Sequence, residues 1–209
     1  MPYGFLDIAI TPSVRRAQAE MGADRIWSDF KGHREFDHFS RREEEFIAAR
    51  DSFYMASVSE TGWPYVQHRG GPAGFLKVLD QTTFAFADYR GNRQYISTGN
   101  IAADDRVCLF LMDYPGRTRL KIYATARIVS LDTDPELAAA VTNPEYGAKL
   151  ERIFLFKLAA FDWSCPQHIT PRFTEAVARA ASMTLQERMA ELEAENAALR
   201  ARLGEADSG

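Results

Sequence analysis

Three clusters of polar and basic residues interrupt an otherwise apolar middle of the chain. The first is Gln67-His68-Arg69-Gly70-Gly71-Pro72-Ala73-Gly74-Phe75-Leu76-Lys77, which sets three glycines between an arginine and a lysine. Glycine lets a ligand come close to the backbone, and Arg69 and Lys77 suit an anion. A glycine bulge at the corner of a barrel is the competing reading. The segment is not a P-loop, because Val78 stands where a magnesium-binding Ser or Thr would be needed. The second cluster runs from Asp88 through Asn92, Arg93, Gln94, Ser97 and Thr98 to Asn100. It follows a strand and is expected to open a helix, whose N-terminal N–H groups and partial positive charge make a phosphate seat. Arg93 can add a bidentate contact, and Asn92 and Gln94 neutral donors. The third is Arg117, Arg119 and Lys121; the last two share one strand face, or else belong to a solvated charged surface. Together the clusters predict one phosphate-bearing ligand held on a β-barrel.

Other reactive side chains are less organised. His68 beside Arg69, and His168 beside Gln167, are candidates for polarising a substrate, against the plainer reading of structural donors. His33 and His38 with Glu35 and Asp37 match no metal-site spacing and read as a solvated loop. Cys165 has no base at fixed spacing and Cys108 lies mid-strand, so both read as structural core thiols. Asp88 and Asp162 form no recognisable carboxylate pair, and no serine sits in a nucleophile elbow. The absence of a GxGxxG fingerprint argues against a doubly wound nucleotide fold.

The elements that must position these residues are mostly strands. Residues 1–50 are expected to be helical and peripheral: Thr11-Pro12 starts one helix that Gly22 ends, residues 23–39 form a loop, and Ser40 with Glu43 is a capping box. Residues 51–173 carry strands at 53–59, 64–68, 75–79, 82–87, 107–112, 120–129 and 152–161. A short helix falls within 91–105, and Asp134-Pro135 starts another. Six or seven strands with interspersed helices predict a mainly β fold, a small barrel with helical decorations.

Residues 174–209 read as a separate helix. Leu185, Met189, Leu192, Asn196, Leu199 and Leu203 are spaced 4, 3, 4, 3, 4, which is a heptad seam with leucine at d. Thr184 with Glu187 is expected to cap its start. Arg188 would face Glu193, and Glu195 would face Arg200, on a parallel partner. These features favour a dimeric coiled coil over a helix folded back on its own domain. The stretch from Arg172 to Met183 is too poor in cations for a DNA-binding basic region.

Composition bounds the partners. With 46% hydrophobic and 26% charged residues among 209, the chain is globular rather than disordered. A net charge of −4 excludes a global nucleic-acid surface, so an anion site must be local. Two cysteines make no disulfide framework, no apolar run suffices for a membrane helix, and no leader is expected, so a cytoplasmic setting is anticipated.

The order of these motifs resembles the pyridoxamine 5'-phosphate oxidase-like family of FMN-binding split β-barrels, over roughly residues 40–170. Phe75-Leu76-Lys77, then Gly91-Asn92-Arg93-Gln94, then Arg106-Val107 carry the likeness, and Asp162 to Phe173 is similar to the signature of an uncharacterised branch. The resemblance implies that Lys77 contacts the FMN phosphate and that Arg93 is the helix-start arginine. Arg69 takes the first-strand arginine's role, and Arg119 replaces a flavin-contacting glutamine. Gln167 is implied to approach the flavin from the partner subunit of a homodimer. The implied binding set is Gln67, Arg69, Gly70, Lys77, Asp88, Asn92, Arg93, Gln94, Ser97, Arg119, Gln167 and His168. The family's C-terminal Arg-x-His substrate clamp is missing, so vitamin B6 oxidation is not implied. The expected function is an FMN-dependent oxidoreductase exchanging hydride or electrons with a small substrate or a reduced nicotinamide, with FAD or a deazaflavin as lesser cofactor choices. The alternatives are a flavin-binding or sensing protein without turnover, and a cofactor-free scaffold dimer.

Overall fold

The structure, a computed structural model, describes residues 4–28, 37–164 and 166–206. The chain forms two compact units, Met1–Asp113 with Arg117–His168, and Tyr114–Gly116 with Ile169–Gly209. In the first unit, helices α1 (Phe5–Ala9), α2 (Pro12–Glu20), α3 (Asp24–Ser28) and α4 (Arg41–Ala48) precede the sheet. Strands β1 (Ser52–Val58), β2 (Pro64–Gly70), β3 (Lys77–Val78) and β4 (Thr83–Tyr89) lead to α5 (Ile96–Ala103). Then come β5 (Arg106–Asp113), β6 (Thr118–Val129), α6 (Pro135–Val141) and β7 (Leu150–Ser164). The second unit contains α7 (Glu175–Ala206).

The seven strands of the described residues join one antiparallel sheet in the order β2-β1-β5-β6-β7-β4-β3. Alternate residues face one side, as period two requires. Phe53 and Met55, Val107, Leu109 and Leu111, Leu120 and Ile122, Phe154 and Phe156, and Phe84 and Phe86 supply the main core. Phenylalanine fills most of it: Phe84 stacks on Phe156 at 4.8 Å, and Phe86 on Phe154 at 5.0 Å. Phe53 of β1 meets Phe86 of β4 edge-on at 5.4 Å, although those strands share no hydrogen bonds. The sheet therefore curls until its two ends touch through side chains, which is a split barrel. One extra residue, Ala159, separates the pairs Tyr123↔Ala160 and Ala124↔Leu158 and bends the long β6–β7 ribbon. Both faces of β4 are buried, because α6 packs Val141 against Ala85 and Ala87 on the side away from the phenylalanines.

Helix starts follow their side chains. Thr11 caps α2 at 3.4 Å and Asp134 caps α6 at 2.9 Å, each followed by proline. Ser40 and Glu43 form the expected capping box on α4. The Glu43 carboxylate also accepts from Trp163 Nε1 at 2.7 Å, tying α4 to the end of β7. Burial acts to raise the Glu43 carboxyl, but the bonds from Ser40 and Trp163 outweigh it and hold the group below its ordinary value.

Four expectations are corrected. Residues 24–28 are helical rather than loop, while His33 and Glu35 lie outside the described residues. The strand expected over 75–79 shrinks to Lys77–Val78. Phe75 and Leu76 are consecutive and both buried, at 3% and 1% exposure, which an alternating strand on one core face does not achieve. Helix α7 begins at Glu175, with Thr174 accepting from the Val177 N–H at 3.3 Å. The alanine-rich stretch 176–181 carries the helix upstream, so Thr184 is interior and donates to the Ala180 carbonyl at 3.2 Å. Cys108 faces away from the main core on β5, half-buried, and Cys165 lies outside the described residues.

A lowered carboxyl pKa contributes stability above the unfolded value of about 4.3, and that contribution is lost as pH falls through the folded value. Glu43→Gln is expected to cost on the order of 1–3 kcal/mol at neutral pH. Urea unfolding followed against pH should show the gap to the parent chain narrowing below about pH 4. A gap that stays constant with pH would contradict the ionised Glu43 contact.

Candidate functional site

The aromatic lining of the barrel gives way to charge at one end. Period two on β2 turns Tyr65, Gln67 and Arg69 to one side, and leaves Val66 and His68 exposed on the other. His68 instead lies edge-on to Tyr54 at 5.5 Å. On β4 the row Phe84, Phe86 ends in Asp88, which is 6% exposed. The β4–β7 register puts Arg152 directly opposite Asp88. Arg69 Nη1 donates to Asp88 Oδ1 at 2.7 Å, with its guanidinium 4.9 Å from the centre of the Phe154 ring. Arg152 Nε stands 3.6 Å from Asp88 Oδ2, beyond hydrogen-bond length, and its guanidinium covers Tyr95 at 4.3 Å. Glu151 binds Arg90 at 2.7 Å, Arg152 at 2.8 Å and the Tyr95 hydroxyl at 3.1 Å.

Burial pushes the Asp88 carboxyl above its ordinary value, against the pull of Arg69 and Arg152. Burial likewise lowers the Arg69 guanidinium, against the pull of Asp88. The hydrogen bond from Arg90 leads the interactions that hold Glu151 below its ordinary value.

A cavity of about 200 Å³ opens between β2, the end of β4 and the segment leading into α5. Tyr65, Gln67, Arg69 and Asp88 line one side of it, and Asn92, Arg93, Gln94, Tyr95 and Ser97 the other. Tyr65 donates its hydroxyl hydrogen to Gln67 Oε1, which fixes the amide on that wall. The loop is held by Asn92, which accepts from the Gln94 N–H at 3.1 Å. Arg93 and Tyr95 have φ of 64° and 54°, left-handed conformations that side chains rarely adopt. They stop the helix from starting before Ile96, so Arg93 precedes α5 instead of opening it, which corrects the expected helix start. No side chain caps α5, and the N–H groups of its first turn stay available at the cavity. Two buried donors on its lining residues have no hydrogen-bond partner, Arg69 Nε and Ser97 Oγ, while the unpartnered Arg152 Nε lies behind them, facing Asp88. Buried polar atoms are almost always satisfied, so unsatisfied ones converging on a cavity point to a ligand with acceptor oxygens.

Seven of the expected residues thus meet at one place: Gln67, Arg69, Asp88, Asn92, Arg93, Gln94 and Ser97. The other five do not join them within one chain. Lys77 pairs with Ala85 and so shares the α6-covered face of β4, opposite the face that carries Asp88. Gly70 sits at the strand end, where an added Cβ would lie 3.2 Å from the His68 ring, and it does not line the cavity. The neighbouring glycines are structural: a Cβ on Gly71 would strike Phe75 at 2.8 Å, and Gly74, with φ of 73°, would strike the Ala48 carbonyl at 2.9 Å. Arg119 pairs in register with Ser164 at the far end of β7, and its buried Nε has no partner. Lys121 is tied to Asp162 at 2.9 Å, and Arg117 is exposed in a turn, so the third basic cluster does not join the other two at the cavity. Gln167 and His168 lie in an exposed turn beyond β7.

The sequence reading missed Tyr65, Tyr95, Glu151 and Arg152. Tyr65 follows from the same period of two that groups Gln67 with Arg69. Arg152 reaches Asp88 only through a strand pairing that spans more than sixty residues, and no local signal announces it. A second hollow of about 530 Å³ is mainly apolar and includes Ala56, Val58, Val107, Cys108 and Tyr123. Asn100 of α5 donates to Ser57 in its wall at 3.0 Å. Burial raises the Cys108 thiol, which disfavours a reactive thiolate. Among the described residues no group of three or more His, Cys, Asp or Glu is placed to hold a metal ion. Nor is any helix there long and apolar enough to cross a membrane.

Comparison with known proteins was made on sequence and on fold. Residues 39–163, more than half of the chain, match the family model described as pyridoxamine 5'-phosphate oxidase. No curated protein matches significantly. Among solved structures, a protein described as a putative pyridoxamine 5'-phosphate oxidase from Lactobacillus delbrueckii is 20% identical, over 60% of this chain and 94% of that one, with a TM-score of 0.46. An FMN-binding protein from Syntrophomonas wolfei is 12% identical, over 73% of this chain and 95% of that one, at 0.42. HutZ from Vibrio cholerae, described as a heme storage protein, is 15% identical, over 58% and 91%, at 0.36.

Removing one partner from a buried ion pair leaves the other uncompensated. Asp88→Asn is expected to destabilise the chain by about 3 kcal/mol, read as a lower urea midpoint with an unchanged slope. An unshifted midpoint would mean that Asp88 is not the counter-ion of Arg69 and Arg152.

Proposed function

The chain belongs to the pyridoxamine 5'-phosphate oxidase family, and from that premise we propose that it is an FMN-dependent oxidoreductase that seats the flavin phosphate at the mouth formed by Arg69, Arg93 and Ser97. One observation carries the reading: buried, unpartnered donors on Arg69 and Ser97 converge on a cavity set in a cluster with surplus positive charge. Arg69 and Arg93 line the cavity with the carboxylates Asp88 and Glu151, and Arg90 and Arg152, ion-paired behind those carboxylates, bring the guanidinium groups of the surrounding cluster to four against two. The surplus of two matches a phosphate monoester, which carries about −1.5 to −2 at neutral pH.

The residues divide the work of binding. Arg69 offers its free Nε from a buried, prealigned guanidinium, while Asp88 keeps its other edge fixed. Ser97 adds a hydroxyl and α5 its first-turn N–H groups, both directed at a negative charge. Arg93 is the exposed cation at the rim, where it can close over the phosphate. Gln67, held by Tyr65, supplies a neutral amide beside it. Bound flavin supplies the redox chemistry, taking up or giving hydride or electrons, and the protein orients it. No acid or base of the chain is required for that exchange.

A cavity of about 200 Å³ is smaller than ligand pockets usually are, so it takes the phosphate end and leaves the ring outside. Along β7, residues 152 and 164 lie at opposite ends of a run of at most roughly 40 Å, at about 3.3 Å per residue. On this reading Gln167 and His168, beyond the far end of β7, reach the flavin from the partner subunit of a homodimer. The reading keeps a small substrate or reduced nicotinamide as the other reactant.

The test uses the purified full-length chain. The parent chain is expected to bind FMN at least about tenfold more tightly than riboflavin, since a charged hydrogen bond contributes about 1.5–3 kcal/mol. Arg93→Glu should remove that preference without changing riboflavin affinity. Equal affinities in the parent, or an Arg93→Glu chain that still prefers FMN, would contradict the phosphate seat. Anaerobic mixing with reduced nicotinamide should bleach the flavin; flavin that stays oxidised with every nicotinamide and small donor tried would favour a carrier over an enzyme.

A further inference from the structure

We propose that α7 pairs with α7 of a second copy of this chain as a parallel, in-register, two-stranded coiled coil. The helix is continuous over 32 residues, and from Leu185 to Leu203 its large apolar residues lie on one stripe, with Val177 and Met183 upstream of it and off its face. Leu185, Met189, Leu192, Leu199 and Leu203 are 47–67% exposed in the single chain. A continuous exposed apolar stripe on a soluble helix marks an interaction surface.

The seam names its own occupant. Leucine holds every d position, at 185, 192 and 199, and a positions carry Met189, Asn196 and Leu203. In a parallel pair each a residue faces its twin, so Asn196 hydrogen-bonds Asn196 of the second copy. In an antiparallel pair a faces d, and Asn196 would be buried against leucine without a partner. The flanking charges agree: Arg188 at g meets Glu193 at e, and Glu195 at g meets Arg200 at e, each on the other copy. Every one of these contacts needs only the same sequence on the other side, which is the isologous pairing of a two-fold dimer. In the single chain Arg188 turns instead to Glu191 at 2.8 Å, an exposed i,i+3 contact worth little and readily exchanged. The seam from 185 to 203 spans 19 residues. It is short for an isolated zipper, so the pairing is expected to be concentration-dependent.

The pairing does not depend on the flavin reading, and its test reads no flavin. Asn196→Cys in the full-length chain places a thiol at the seam, and Ala190→Cys places one at the outward b position. With oxidised glutathione as the oxidant, the Asn196→Cys chain is expected to form a disulfide-linked dimer at least about tenfold faster than the Ala190→Cys chain or the parent. Adding Leu192→Asp and Leu199→Asp to the Asn196→Cys chain should abolish that advantage while far-ultraviolet circular dichroism keeps the strand signal. Equal cross-linking rates for Asn196→Cys and Ala190→Cys would overturn the proposal, even if sedimentation shows a dimer, because the two copies would then meet elsewhere. Persistence of the fast cross-link after both aspartate substitutions would overturn it as well.

Discussion

A guanidinium–carboxylate contact of 2.7 Å joins two strands that the sheet never hydrogen-bonds together. Arg69 lies on β2 at one edge of the sheet, and Asp88 on β4 near the other. Their contact, with Phe53 against Phe86 beneath it, closes the barrel where the ladder does not. Burying two charges is costly, and their attraction offsets that cost only with good geometry and further hydrogen bonds. Here the geometry is supplied by Phe154 under the guanidinium and by Arg152 opposite the carboxylate. The same contact shapes the mouth of the cavity. Fold and candidate site therefore share one interaction, and neither can be altered there without the other.

The electrostatics then follow from position. Asp88 serves two arginines, and Glu151 serves Arg90 and Arg152, so neutralisation within the site is incomplete. The residual charge sits where α5 begins without a cap and where Arg93 and Tyr95 hold left-handed backbone. Strained backbone, unpartnered buried donors and a positive surplus each carry an energetic cost in the free protein. An oxyanion in the cavity would relieve the last two at once, which is the physical basis for the proposal that a flavin phosphate binds at this place.

Local signals were legible in the sequence, and cross-strand ones were not. The starts of α2, α4 and α6 followed from Thr11, Ser40 and Asp134, because capping is a matter of three or four neighbouring residues. Alternation gave the long strands β5 and β6 nearly to their ends. Reading failed where tertiary packing overrode pattern: Phe75 and Leu76 dive into the core together and cut the expected strand to two residues. Nor did local pattern show that Lys77, whose charge suggested the anion seat, would pair with Ala85 and lie on the other face of β4. Arg152 was invisible for the converse reason, since only the β4–β7 register delivers it to Asp88.

The phosphorus nucleus of bound FMN reports most directly on the central claim. A phosphate clamped between guanidinium groups is held in its dianionic form, so its second ionisation falls well below the ordinary value of about 6. Phosphorus NMR of the flavin-loaded chain is expected to show a chemical shift that stays constant from about pH 7 down to about pH 5. A bound phosphate that titrates near pH 6, as it does free in water, would contradict the seat formed by Arg69, Arg93 and Ser97.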